Sequence, residues 1–259
     1  MAAGANDVQP RWQTAWITGA STGIGRELAI LLARQGVRVA ASARDATKLE
    51  DLARAQSGIA AVPLDVTDRQ AAAAAHDRVR TLLGPVDLAI LNAGTWDPMG
   101  VRDFQAARIA QSMAVNFGGI VNALEPLLAD MIGRKSGHVA LVASVAGYRG
   151  LPKAAAYAPG KAAVISLAEV LRLELAPHNI KVSLINPGFV DTPMTAVNKF
   201  PMPFKLTALD AAERIVKGLS QPKFEIAFPW QLVLPLKLLR LLPYAAYFPL
   251  AARFRPKRS

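Results

Sequence analysis

The chain contains no cysteine. Disulfides and thiolate metal sites are therefore excluded, and a reducing cytoplasm is compatible with this composition without being demonstrated by it. Histidine is almost as scarce: His76, His138 and His178 stand far apart with no ligand-like spacing, so no metal site is expected. The opening MAAGANDVQPRWQ lacks a basic region followed by a long apolar run. Residues 1–13 therefore read as a flexible tail and not as a secretory signal. No internal repeat is visible. Acidic residues are few, 19 against 30 lysines and arginines, which leaves a formal charge of +11. Such an excess points to polyanionic partners: a phosphorylated cofactor, an anionic membrane surface or nucleic acid. Nucleic acid is the weakest of these, because no basic run is interleaved with stacking aromatics.

What is present suffices for one large α/β domain, since 52% of the 259 residues are hydrophobic. Apolar β-prone runs (TAWITG, VRVAAS, AAVPLD, VDLAILN, HVALVAS, KVSLINPG) alternate with helical stretches near residues 24–35, 46–56, 70–83, 102–132 and 157–175. This alternation predicts a Rossmann-type, doubly wound parallel sheet with helices on both faces, spanning residues 14–220. Near-continuous apolar strands such as LAIL and VALVA fit a sheet buried on both sides. The alanine run at 71–75 is read as helix propensity.

Thr18, Gly19, Gly23 and Gly25 form TGxxxGxG directly after the first strand and at the start of a helix. Glycines let the backbone approach a pyrophosphate, and the helix N-terminus, with Ser21, Thr22 and Ile24, supplies amides and positive dipole. The second strand ends in Ser42-Ala43-Arg44, and Ala43 stands where an NAD-preferring chain would carry a ribose-binding acid. Arg44, with Ser42 as a second contact, can instead pair with a 2′-phosphate, which favours NADP(H), with NAD(H) as the other candidate. The plainer reading makes Arg44 a solvated loop charge and Asp45 the acid, one position later. Asp65-Val66 and Asn92-Ala93-Gly94 follow the third and fourth strands, where open α/β sheets bind ligands, though turn chemistry alone favours such residues there.

Tyr157 and Lys161 are four residues apart in YAPGK, a spacing that sets both on one helical face. An ammonium beside a phenol favours the phenolate, and a hydroxyl such as that of Ser144 can position a substrate oxygen. These ordered motifs (TGASTGIG, Asp65, NAG at 92–94, Asn116, Ser144, YAPGK and Pro187-Gly188) together resemble the short-chain dehydrogenase/reductase family over roughly residues 14–195. The resemblance implies that Tyr157 is the acid–base and that Lys161 lowers its pKa and holds the nicotinamide ribose. It also implies that Ser144 binds the reacting oxygen and that Asn116 holds a water in a proton relay. By the same resemblance Asp65 and Val66 meet the adenine and Asn92, Ala93 and Gly94 flank its ribose. Ile185, Pro187, Gly188, Val190 and Thr192 would then flank the nicotinamide. A homodimer or homotetramer through the helices near 102–132 and 157–175 is a further implication. Pro159-Gly160 departs from the family's pattern, and the proline is tolerable only in the first turn of a helix.

The resemblance implies that the stretch after Pro187-Gly188 closes over substrate, where Met194, Phe200, Met202 and Phe204 would build an apolar lid suited to a small hydrophobic carbonyl or alcohol; the alternative is packing against the protein's own tail. Residues 221–259 form a proline-punctuated, leucine-rich, basic extension. Its apolar stretches are broken by Lys237 and Arg240, so it falls short of the about 20 uncharged residues of a standard membrane span. Leu232, Leu236, Leu239 and Leu242 can share a helical face, while Lys237, Arg240, Arg253, Arg255, Lys257 and Arg258 supply positive charge. Peripheral contact with an anionic membrane through residues 226–258 is one reading, and folding over the cleft or into a homodimer is the other. The expected function is an NADP(H)-dependent oxidoreductase of hydrophobic ketones, aldehydes or alcohols. The competing expectation is a cofactor-binding, membrane-associated interaction protein.

Overall fold

Short apolar strands and amphipathic helices do alternate through the computed structural model, which describes residues 11–198 and 200–253. In chain order they are β1 (Thr14–Thr18), α1 (Gly23–Arg34), β2 (Arg38–Ser42), α2 (Ala46–Ala55), β3 (Ile59–Ala61), α3 (Arg69–Leu83) and β4 (Leu88–Leu91). The second half adds α4 (Ala106–Met113), α5 (Gly119–Arg134), β5 (Gly137–Val142), α6 (Ala158–Glu174), β6 (Ile180–Pro187), α7 (Ala208–Leu219), β7 (Glu225–Phe228), α8 (Trp230–Leu241) and α9 (Tyr244–Ala252). The seven strands form one parallel sheet in the order β3-β2-β1-β4-β5-β6-β7. The order in which strands are added therefore reverses between β1 and β4, the topological switch point at which such sheets open a crevice.

Burial on both faces explains the composition of the strands. All five residues of β1 and all four of β4 are buried. Because successive side chains alternate between faces, Trp16 joins the core beneath α3, α5 and α6, whereas Ile17 joins the core with Leu28, Leu32 and Ile215 of α1 and α7. Asp45 and Asp68 cap α2 and α3 by accepting from the Lys48 and Ala71 amides at 3.1 and 3.0 Å. Thr207 and Asp210 cap α7 reciprocally.

Three expectations are revised. The helical stretch near 102–132 is broken into a 3₁₀ turn at Val101–Asp103, α4, a π-helical turn at Ala114–Gly118 and α5. In the segment read as a flexible tail, Trp12 is buried against the His138 ring at 5.8 Å, and the Gln13 amide donates to Asp87 at 2.8 Å. Residues 1–10 lie outside the described residues. Finally, residues 225–228, assigned by composition to the C-terminal extension, supply the seventh strand, so the extension proper begins with α8.

That extension is docked. Val233 and Leu236 of α8 are buried in the core beneath β7, with Leu232 and Leu239 packed beside them. Glu225 accepts from the Asn186 amide at 2.8 Å and from the Tyr148 hydroxyl, and its other oxygen pairs with Lys237 of α8. Among the described residues no helix is long and apolar enough to cross a membrane. Leu236→Ala should lower unfolding free energy by about 2 kcal/mol in urea titration, the low end of buried leucine truncations. An unchanged midpoint would contradict the docking of α8.

Candidate active site

At the switch point β1 and β4 are stapled together by side chains. The Thr18 hydroxyl accepts the Asn92 and Ala93 amides at 3.0 and 3.1 Å, and the Asn92 side-chain amide donates to the Thr18 and Gly19 carbonyls at 3.1 Å each. Gly19 has φ +68°, and a Cβ there would come within 2.8 Å of Ala93 Cα, so only glycine lets the loop press this close. Beyond the staple opens a cavity of about 790 Å³ lined by Ser21, Thr22, Gly23 and Ile24 on the α1 side. α1 has neither an acidic residue in its first turn nor a side-chain cap, unlike α2, α3 and α7. Its free amides and positive dipole end therefore face the cavity, a cradle that fits a dinucleotide pyrophosphate. Thr18 and Gly25 stand behind this wall as buried supports.

One end of the cavity is basic and polar. Ala43, Arg44, Lys48, Asp65 and Val66 line it. Asp45 is engaged as the α2 cap and in an ion pair with Lys48 at 2.7 Å, while Arg44 makes no ion pair among the described residues. Asp65 is held by the Thr67 amide and hydroxyl at 2.9 and 2.8 Å, bonds that keep its carboxyl below the usual range. The Val66 carbonyl accepts from Asn122 at 2.9 Å. Ser42 is a correction. The sequence places it with Arg44 at the phosphate, but its hydroxyl is fully buried and accepts from Trp16 Nε1 at 2.9 Å. The inward turn of the last β2 residue gives it to the core.

The other end gathers Asn116, Ser144, Tyr157 and Lys161. Tyr157 sits at the N-cap of α6 and Pro159 is the helix's second residue, where a missing amide costs little. Gly160 is buried, and a Cβ there would meet Met113 Sδ at 3.3 Å and Asn116 Cβ at 3.4 Å, so the departure from the family pattern permits close packing under the site. Lys161 is 3% exposed and donates to the Val142 carbonyl at 2.9 Å. Asn116, on the π-helical turn, exchanges bonds with Thr95 at 3.1 and 2.9 Å and donates to Ser112 at 3.0 Å. The extra residue of such a turn re-aims a side chain that a regular helix would bury elsewhere. A Cβ on Gly94 would lie 2.9 Å from Asn116 Oδ1 and 3.5 Å from Lys161 Nζ, which places these two groups around one glycine.

Electrostatics differ from the sequence expectation of a lowered phenol. Loss of water pushes the Tyr157 phenol up to about 12, and the Ser144 hydroxyl offsets part of that rise. Lys161 is 5.6 Å from the ring centroid, and its own burial pushes it down to about 8. Burial therefore favours the neutral phenol. Ser144 is also a structural cap, accepting from the Ala146 amide at 3.2 Å.

Pro187, Gly188, Val190, Thr192 and Met194 form the facing wall, with Ile185 buried behind it. Of the four lid residues named from sequence, only Met194 lines the cavity; Phe200 packs on Phe189 at 6.0 Å and Phe204 is exposed. Trp96 was not anticipated. Its ring meets Tyr157 edge-on at 5.0 Å and its Nε1 donates to Asn198 at 2.8 Å, joining the loop after β4 to the segment after Thr192. Lys48 was missed as well, because its place on the cavity follows only from the cap geometry of α2. A tryptophan two residues past NAG was the available signal for Trp96.

A parallel sheet with an amide-lined cradle at its first crossover and a Ser-Tyr-Lys cluster at the far end defines a dinucleotide-dependent oxidoreductase site. The short chain dehydrogenase family model matches residues 13–200. An uncharacterized oxidoreductase of Myxococcus xanthus is 39% identical over 94% of this chain and 98% of its own. An uncharacterized oxidoreductase of Staphylococcus aureus is 33% identical over 80% and 90%. Among solved structures, a short chain dehydrogenase from Burkholderia cenocepacia in complex with NADP superposes with TM-score 0.81 at 25% identity, covering 94% of this chain and 98% of that one. One from Streptomyces avermitilis gives 0.79 at 25%, covering 88% and 92%. The chain belongs to the short-chain dehydrogenase family and is an oxidoreductase.

The buried ammonium makes a testable demand on stability. Its folded value of about 8 lies below its ordinary 10.5, so the unfolded chain binds this proton more tightly. Stability from this group accordingly rises as pH climbs from about 8 toward 10.5. Lys161→Met should raise unfolding free energy near neutrality by on the order of 2 kcal/mol, with the gain shrinking through that window. Urea titrations on either side of it check this; a less stable variant near neutrality would contradict it.

Proposed function

We propose that this oxidoreductase is an NADP(H)-dependent reductase that interconverts a ketone or aldehyde and its alcohol on a lipophilic substrate. The observation that carries the reading is the meeting of a neutral phenol, a serine hydroxyl and a buried ammonium at one end of the dinucleotide cleft. When bound, the nicotinamide supplies or accepts a hydride at the substrate carbon. The chain's own groups manage the oxygen. In reduction, Tyr157 gives its hydroxyl proton to the substrate oxygen while Ser144 donates a hydrogen bond to it. Positive charge on Lys161 favours the phenolate left behind. A phenol raised by burial holds its proton at neutral pH and is ready to act as the acid in reduction. A protein that only sensed cofactor would have no use for a proton donor with a serine hydroxyl beside it, so catalysis is favoured over a binding role.

Cofactor choice rests on Arg44 and Lys48 flanking a strand end that carries Ala43 in place of an acid. The nearest carboxylate, Asp45, is taken up by the α2 cap and Lys48. The NADP bound by the Burkholderia cenocepacia protein supports the same choice. The substrate class rests on Trp96 against Tyr157 and on Met194 in the facing wall, apolar surfaces that reward a lipophilic carbonyl. A homodimer or homotetramer through α5 and α6 belongs to the same proposal, since Val121, Val170 and Leu173 are exposed on them.

Purified protein supplied with NADPH and a panel of lipophilic ketones should consume the cofactor. Tyr157→Phe should lower kcat/KM about a thousandfold with little change in NADPH affinity. Arg44→Ala should narrow the preference for NADPH over NADH about tenfold. No turnover by a protein that binds NADPH would overturn the activity; unchanged discrimination in Arg44→Ala would remove the 2′-phosphate from that residue.

A further inference from the structure

α8 is apolar on two opposite sides, and only one of them is covered. At about 100° per residue, Trp230, Leu234, Leu238 and Leu241 fall within an arc of about 80°, roughly opposite Leu232, Val233, Leu236 and Leu239. The inner set packs on the core. The outer set is 69%, 53%, 57% and 80% exposed. α9 extends this surface with Tyr244 and Phe248, both exposed and stacked at 5.5 Å.

The surface is held outward. The Arg149 guanidinium lies 4.7 and 4.5 Å from the Tyr244 and Tyr247 rings and donates to the Leu242 carbonyl at 2.9 Å. The Tyr247 hydroxyl donates to the Gly150 carbonyl, and Lys237 pairs with Glu225. With both helices fixed on the body, the exposed leucines and aromatics cannot fold back onto their own core.

Charge decides what covers them. After Glu225 the sequence contains Lys237, Arg240, Arg253, Arg255, Lys257 and Arg258 and no acidic residue; the last three lie outside the described residues. Lys237 borders the outward stripe and pairs with Glu225, Arg240 lies about 80° round from the stripe's edge, 4.0 Å from Glu169, and Arg253 is exposed at the end of α9. A second copy of the chain would bring the same cations against these, a like-charge juxtaposition that disfavours pairing. An anionic lipid surface meets both demands: phosphates for the cations, and an acyl boundary for leucines flanked by Trp and Tyr. We propose that the outward face of α8 and α9 seats the protein on anionic membranes as a peripheral, non-spanning contact. This proposal is independent of the substrate and cofactor assigned above.

Flotation of the full-length protein with vesicles tests it. The protein should float with vesicles of phosphatidylglycerol and phosphatidylcholine, remain behind with phosphatidylcholine alone, and be released by raised salt. Trp230 emission should shift to the blue on anionic vesicles, and the shift should vanish in Trp230→Phe. A combined Leu234→Glu, Leu238→Glu and Leu241→Glu variant should lose about tenfold in vesicle affinity with its urea midpoint unchanged. Leu241→Glu alone should lose part of it, which keeps the test decisive if the combined variant fails to fold. No flotation, or flotation indifferent to Leu241→Glu, would overturn the proposal. So would an assembly that dissociates in the combined variant while vesicles bind neither form, since a second copy would then own the face.

Discussion

A lysine ammonium enclosed by protein, with no carboxylate beside it among the described residues, is the constraint on which the rest of this site depends. Burying such a charge opposes folding, and the surroundings compensate only in part: a carbonyl from the end of β5 accepts one bond at 2.9 Å. The geometry that makes this tolerable is built from both sides. Asn116 is turned into place by the π-helical turn, Gly94 leaves room around Nζ, and Gly160 lets the first turn of α6 settle on Met113. The same burial that depresses Lys161 raises Tyr157, so one desolvated pocket yields a neutral acid and a weakly held cation side by side. Stability is given up where chemistry needs it.

The switch point between β1 and β4 supplies the second requirement, a place for phosphates. Thr18 and Asn92 spend their side chains joining the two strands, and that staple fixes the loop from which α1 starts. α1 starts there without a side-chain cap, so its first amides are left to the cavity. Fold and binding site are here the same set of hydrogen bonds.

Much of this was legible in the sequence because it depends on local pattern. Strand–helix alternation predicts the parallel sheet, TGASTGIG predicts the amide cradle, and the Tyr157–Lys161 spacing predicts a shared helical turn. What depends on tertiary placement was not legible. Ser42 reads as a ligand contact until Trp16 is seen to claim its hydroxyl. The π-helical turn has no marker in the run AVNFG. Trp96 reaches Tyr157 only through the path of the loop after β4. Between Pro222 and Pro229, β7 is masked by prolines that mark its ends. The tail's leucines could be assigned to a face by periodicity, but not divided into the set that packs on the sheet and the set that faces outward, which is decided by where α8 docks.

The central claim is that Tyr157 protonates a carbonyl oxygen while the carbon is reduced by the nicotinamide in the cleft beside it. The most direct measurement follows an isotope. Incubated with NADPH deuterated at the transferable C4 position and a lipophilic ketone that the protein turns over, the enzyme should yield an alcohol heavier by one deuterium at the carbinol carbon by mass spectrometry. Cofactor oxidation that leaves the carbinol carbon unlabelled would contradict it.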